Sequence, residues 1–466
     1  MLFNSFVFLL FFPLVSLVYF ILPHRFRWVF LLAASYYFYM NWKPVYAVLI
    51  FGSTLITYLC SILLEKYHDD RKKKRLFLTL SLVINFGILF IFKYFNFING
   101  AVFSMLDFMN IRWHVPNLDI LLPVGISFYT FQAVGYTIDV YRGDIKAEKH
   151  LGIYALFVSF FPQLVAGPIE RAKNLLPQFR EVHKPVYEDI VSGLRLMLWG
   201  YFMKVVVADR VSVYVDAVYN NAGNHGGGSL LLATFLFSIQ IYCDFAGYSS
   251  IAIGAARVMG FRLMTNFKRP YFALNIKDFW SRWHISLSTW FKDYLYIPLG
   301  GNRVSKTRHK FNLFTTFFIS GIWHGANYTF VIWGALHGFY QIVSVVKSNI
   351  IKTTKSFKLI DILVTYALVL FAWIFFRANT VSDAFLIIKT IFTKPGSLFI
   401  DETTLAYAAF GVLVLFLKEL KDEFNLNIHF STSKYKLKRM SYYVVMTSII
   451  ILFGVFDGGQ FIYFQF

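Results

Sequence analysis

From Phe311 to Val346 the chain carries no Asp, Glu, Lys or Arg, yet the stretch holds two histidines, His324 and His337. A soluble helix keeps a charged face toward water, and one that is apolar all round is buried or lies in a membrane. The block exceeds the roughly 20 apolar residues that cross a bilayer once. Basic segments bound it, Arg303–Lys310 before it and residues 347–358 after it. Two arrangements fit these flanks. Either both lie on the same face and the block is a hairpin or re-entrant pair, or one tilted helix crosses. In both, His324 lies deep: it follows Lys310 by 14 residues, which puts it roughly 20 Å along a helix.

The same alternation of apolar blocks and short basic loops runs through the chain. Hydrophobic residues make up 57% and charged residues 15%, against about 25% charged in soluble domains. Asn4–Leu22, Trp28–Met40, Val45–Leu64 and Leu76–Phe95 read as the first spans. Basic loops follow the first at His24–Arg27 and the third at Asp69–Arg75. Two crossings separate these loops, so both fit the cytoplasmic side, with the N-terminus outside. The net charge of +20 thus reflects loop placement and anionic lipid rather than nucleic-acid binding. The apolar stretch Met1–Pro23 lacks a basic start and a small-residue cleavage site, and reads as a retained span. The fold class expected is all-α: a single polytopic domain over residues 1–466 with roughly eleven to thirteen transmembrane or re-entrant segments and interfacial amphipathic helices. The bacterial inner membrane is the expected location. No internal repeat or soluble domain is visible.

Phe267–Gly301 has a different pattern. Phe279, Trp283, Leu287, Trp290, Phe291 and Tyr294 recur at helical spacing, with Lys277, Asp278, Arg282, Lys292 and Asp293 between them. The spacing predicts an amphipathic helix over Lys277–Tyr296, lying in or near the interface plane, with Asn275 as its N-terminal cap.

Within this frame a few polar residues invite chemistry. An ionisable group inside a membrane segment is a functional-site hypothesis by default. His324 is bracketed by Gly321 and Gly325, whose small size lets a partner helix or a substrate approach closely. Imidazole titrates near neutrality and serves as a general base when neutral. A ring simply hydrogen-bonded to a neighbouring helix is the other reading. His284 sits on the amphipathic segment, as an active-site group or a headgroup contact, and His337 reads as a packing or hydrogen-bonding residue. Asp244 needs a partner or a wet cavity, to orient a histidine or to pair with an arginine. Trp323, Asn327, Ser320 and Arg282, together with Asp244, are the candidate substrate-binding residues. The chain has no GxSxG elbow, no phosphate-binding GxxxxGK[ST] loop and no HExxH. Cys60 and Cys243 lie in apolar runs and allow no zinc spacing. No metal is expected.

Taken together, several stretches resemble the membrane-bound O-acyltransferase (MBOAT) family, and within it the bacterial branch that O-acetylates alginate and other exported polysaccharides. They are Leu122–Gln132, Pro162–Ile169, Tyr242–Tyr248, Asp278–Ser288, Tyr296–Gly301 and Gly321–Ala326. The likeness runs from near residue 1 to about residue 390, and the tail beyond residue 400 is least diagnostic. The resemblance implies that His324 holds the family's essential histidine position and His284 its second active-site position. It also implies acyl transfer from a thioester donor, acetyl-CoA or an acyl carrier protein, to a hydroxyl through a funnel in the protein. No bound cofactor is expected. The implied partners are a periplasmic acetyltransferase and the exported polymer. D-alanyl transfer to teichoic acid is the alternative within the family, and a polysaccharide or lipid transporter is the alternative outside it.

Overall fold

The computed structural model describes residues 1–165, 167–350, 358–428, 430–456 and 461–462, with backbone alone for 347–350. Among these residues every regular element is helical. Hydrocarbon offers no water to satisfy backbone N–H and C=O groups, so a spanning segment must pair them within itself. Seven helices among the described residues are long and apolar enough to cross a membrane, and Phe6–Ile21 is a shorter apolar one. The multi-pass, all-helical architecture expected from the sequence is therefore present.

Two compact units divide the chain. The first comprises Met1–Val191 with Ala255–Met264. It contains α1 (Phe6–Ile21), α2 (His24–Met40), α3 (Tyr46–Lys66), α4 (Arg71–Leu89), α5 (Phe95–Phe108), α6 (Ile126–Arg142), α7 (Leu151–Ser159) and the short turns α8 (Phe161–Leu164) and α9 (Ala172–Leu175). A π-turn at Phe90–Tyr94 joins α4 to α5, so the expected span Leu76–Phe95 is part of a longer helix. α1 shows how these elements sit. Phe8, Phe12, Val15 and Tyr19 are buried at steps of four, three and four residues, while Leu10, Leu14, Leu17 and Ile21 are exposed on the other face. That outer face is apolar because its solvent is lipid. Polar pairs join the buried faces: Ser53 Oγ donates to Asn85 Oδ1 at 2.5 Å, and the Tyr154 hydroxyl donates to Thr57 Oγ1 at 2.7 Å. In membranes such pairs contribute about 0.6 kcal/mol each.

The second unit comprises Ser192–Gly254 and Thr265–Phe466. α10 (Tyr187–Tyr201) continues through a π-turn at Phe202–Ala208 into α11 (Asp209–Tyr219), and α12 (Gly227–Val258) is an unbroken α-helix of 32 residues. The first residues of α10 and the last of α12 belong to the first unit. Then come α13 (Ile276–Arg282), α14 (Ile285–Phe291), α15 (Lys306–His324), α16 (Tyr328–Ile350), α17 (Lys358–Arg377), α18 (Val381–Thr393), α19 (Glu402–Glu423) and α20 (Lys436–Phe453). The charge-free block is a hairpin, α15 and α16 packed along each other, which settles the two arrangements left open by its flanks. Gly321 and Gly334 make the crossing. A Cβ on Gly334 would stand 2.6 Å from the Phe317 carbonyl oxygen, so neither helix has room for a larger residue there.

The amphipathic stretch departs from expectation. It is two short helices, α13 and α14, broken at Trp283 and His284, and Phe279, Trp280, Trp283, Leu287, Trp290 and Phe291 are buried. The expected cap is present: Asn275 Oδ1 accepts the Asp278 N–H at 2.9 Å. The break has a local cause. Lys268 N–H donates to the Arg282 carbonyl, and Ile285 N–H donates to the Asn266 carbonyl, each at 2.9 Å. These bonds to the preceding loop take the place of helical bonds, and periodicity alone carries no trace of them.

Candidate active site

His284 caps α14 with φ 41° and ψ 54°, a left-handed conformation for a residue with a side chain. Such a backbone costs about 1–3 kcal/mol and persists where its surroundings hold it. Here Asn266 supplies the hold. Its Oδ1 lies 3.2 Å from His284 Nδ1, and accepts the Ser286 N–H at 3.2 Å and the Ser286 hydroxyl at 2.9 Å. Its Nδ2 donates to Ser249 Oγ at 3.1 Å. With Nδ2 so committed, Oδ1 is the face turned to the ring, and the network assigns the proton to His284 Nδ1 and the lone pair to Nε2. The ring is fully buried, edge-on to Phe245 at 4.5 Å. Burial pushes the imidazole down to about 3, so it is neutral at physiological pH.

His324 is the last residue of α15, where the extended Gly325 ends the helix and turns the chain toward α16. Its ring packs edge-on against Trp323 at 5.0 Å, Trp333 at 4.9 Å and Phe376 at 5.3 Å. A Cβ on Gly325 would overlap the Phe330 ring, which explains why glycine follows the histidine. The indole of Trp323 is shared: its centroid is 6.1 Å from that of His284. Two histidines 40 residues apart in sequence thus meet on one buried tryptophan.

The other candidates fall in different places. His337 accepts the Trp280 indole N–H at Nδ1, 3.2 Å away, and stacks among Phe279, Trp280 and Trp333, a packing and hydrogen-bonding position. Ser320 is buried on α15. Asn327 closes the hairpin turn: its Nδ2 donates to the Asn379 carbonyl at 2.9 Å and its Oδ1 accepts the Thr329 N–H at 3.1 Å. Arg282 is held in an ion-pair network with Asp278 and Glu423, and Arg269 joins the same Glu423. Among the described residues Asp244 is paired with neither a histidine nor an arginine. Its Oδ1 lies 2.7 Å from Lys204 Nζ, which also reaches Asp209 at 2.8 Å, all three buried. The partner is a lysine because Lys204 stands in the π-turn after α10, which turns it inward. No sequence pattern singles out Lys204, Asn266, Trp333, Phe376 or Glu423. A lone asparagine in a loop gives no spacing signal.

With this geometry in view, the comparisons with known proteins are specific. The profile of "MBOAT, membrane-bound O-acyltransferase family" matches residues 149–381, a stretch that contains both histidines. The chain is 40% identical over 390 residues to "Probable alginate O-acetylase AlgI" of Pseudomonas syringae pv. tomato, covering 82% of this chain and 74% of that protein. It is 37% identical over 430 residues to the "Peptidoglycan O-acetyltransferase" of Helicobacter pylori, covering 84% of this chain and 79% of the relative. The "Teichoic acid D-alanyltransferase" of Bacillus subtilis is 30% identical over 239 residues, 48% of this chain and 59% of the relative. The chain belongs to the membrane-bound O-acyltransferase family. It is a multi-pass membrane O-acyltransferase.

Proposed function

We propose that the chain moves an acetyl group from a cytoplasmic thioester donor, acetyl-CoA or an acyl carrier protein, to a hydroxyl, for O-acetylation of an exported polysaccharide. The observation that carries this reading is the meeting of His284 and His324 on the buried indole of Trp323. His324 is the general base. It takes the proton of the attacking hydroxyl, the oxygen bonds to the thioester carbonyl carbon, and the C–S bond breaks. The leaving thiolate then recovers the proton from the imidazolium. Base catalysis of this kind contributes about 10²–10⁴-fold. The C-terminal end of α15, where the ring sits, is the negative end of the helix dipole and favours the transient imidazolium.

His284, with its lone pair on Nε2, accepts a hydrogen bond from the acceptor rather than donating one to an oxyanion. The Asn327 amide is committed to Asn379. The Trp323 indole, which lies beside both rings, is the donor to the developing oxyanion. The preference for acetyl rests on the relatives, since the acetyl-transferring proteins match at higher identity and over more of the chain than the D-alanyltransferases. In this reading the chain lies in the inner membrane with its N-terminus outside, its basic loops draw the anionic donor, and a periplasmic acetyltransferase completes the delivery to the polymer.

The test is complementation. A strain deleted for the gene is supplied with the wild-type chain or with His324→Ala, and acetyl esters on exported polysaccharide are measured. Esters should return with the wild type alone. Their return with His324→Ala would remove the base assignment. An unchanged ester content on deletion, with D-alanyl esters lost instead, would replace the acetyl reading by the D-alanyl one.

A further inference from the structure

Asp244 has a second partner besides Lys204. Its Oδ2 accepts the backbone N–H of Ile462 at 2.7 Å, and Phe461 and Ile462 are both buried. A carboxylate inside an apolar helix is expensive, and this one pairs with Lys204 while it captures a chain segment more than 200 residues away in sequence. The capture has a visible consequence. The Phe461 ring packs on Tyr248 at 4.6 Å and on Phe245 at 5.6 Å. Asp244, Phe245 and Tyr248 lie within little more than one turn of α12. Phe245 is therefore held with Phe461 on one side and the edge of His284 on another, the latter at 4.5 Å and 83°.

We propose that Phe461 and Ile462 form a positioning element for His284. Ile462 is anchored on Asp244, Phe461 presses Phe245, and Phe245 fixes the plane of the imidazole. The proposal rests on the reading of His284 given above. His284 needs such support because its backbone is left-handed, a conformation that persists only where its surroundings hold it. The near-perpendicular contact with Phe245 limits the tilt of the ring. Misplacement of a site group by about an ångström costs up to roughly 10²-fold in rate. The ion pair thus serves a purpose that an apolar pair in the same place would not: its carboxylate addresses one particular backbone N–H.

The experiment uses the full chain in lipid bilayers with ¹⁵N-labelled histidine, and the His284 ring resonances are assigned by their loss in His284→Gln. Phe461→Ala should move those resonances and lower acetyl-ester yield per inserted protein roughly tenfold, and Phe461→Tyr should restore both. Phe461→Leu, which keeps most of the buried volume, serves if the alanine variant does not accumulate, and should give the same shift. Resonances of His284 that stay in place in these variants overturn the proposal, whatever the ester yield does. If they move but His284→Gln retains wild-type ester yield, the positioning element stands and the catalytic reading of His284 falls.

Discussion

The imidazole of His284 and the indole of Trp323 lie 6.1 Å apart, centroid to centroid, and the next residue in the chain is His324. A single tryptophan therefore sets the distance between two site histidines carried on different elements. Its two contributions are separable. Trp323→Phe keeps an aromatic plane between the rings and removes the indole N–H. It is expected to insert and fold as the wild type does, while acyl transfer falls by about 10²–10³-fold, the usual loss for one oxyanion donor. Trp323→Ala also opens a cavity beside both rings and is expected to lose about 3–5 kcal/mol of stability. Ester yield normalised to inserted protein checks the first expectation, and thermal denaturation in detergent checks the second.

Burial of His284 gives stability a definite dependence on pH. The imidazole takes up a proton near 6.5 when unfolded, whereas burial lowers its folded value to about 3. Its contribution is complete above about 6.5 and is lost as the pH falls toward 3, because the unfolded chain binds the proton first. Glu170 works in the opposite sense. Burial raises its carboxyl from 4.5 to about 7, against the lowering effect of hydrogen bonds from the Met264 and Arg171 N–H groups. Its contribution is full below 4.5 and is lost as the pH rises through 7. Unfolding of the solubilised chain is expected to show both limbs. His284→Gln should flatten the acid limb and Glu170→Gln the alkaline limb. An acid limb unchanged in His284→Gln would show that other groups set it.

The architecture was legible in the sequence because lipid imposes a coarse rule, long uncharged blocks between charged loops, and charge is visible residue by residue. His324 stood out for the same reason, lying far from any cation. The hairpin that presents it was not decided, since basic flanks fit a hairpin and a tilted helix alike. Nor was the break at His284 legible. Helical periodicity runs straight through Phe279, Trp283 and Leu287, and what interrupts it is the loop around Asn266, whose bonds to the segment depend on tertiary placement. Asp244 signalled that it needed a partner without saying which. Lys204 lies 40 residues away, and its inward direction comes from a π-turn that no local propensity announces.

The Lys204 cluster holds two carboxylates on one ammonium. Removal of the cation leaves like charges facing each other in an apolar core. Lys204→Met is expected to destabilise the chain by about 3–5 kcal/mol, the cost of breaking a buried pair from one side. Little folded protein should accumulate. Asp209→Asn and Asp244→Asn added to it remove the charges but keep hydrogen-bonding oxygens, and the triple variant is expected to recover folded protein. Monodispersity on gel filtration of solubilised membranes reports both. Equal accumulation of the single variant and the wild type would mean that the carboxylates take up protons freely and that the cluster holds little electrostatic energy.

The α15–α16 crossing ties packing to chemistry through glycine. A Cβ on Gly321 would overlap the Phe330 carbonyl and stand 2.8 Å from Gly334 Cα, both backbone atoms that cannot rotate away. Gly321→Ala must therefore spread the hairpin, and His324 lies only three residues further along the same helix. The displacement reaches the ring, because its neighbours Trp333 and Phe376 belong to α16 and α17 and do not move with α15. Acyl transfer is expected to fall at least roughly 10²-fold, while the chain still inserts. Gly52→Ala is the matched comparison. Gly52 lies within α3, with nothing within 4 Å of the added Cβ, so it gains about 0.5–1 kcal/mol of helix stability from alanine's higher propensity and should keep full activity. Ester yield per inserted protein in the two variants separates a cost specific to the crossing from a general cost of replacing glycine. Wild-type yield in Gly321→Ala would mean that His324 tolerates a wider hairpin than the packing allows.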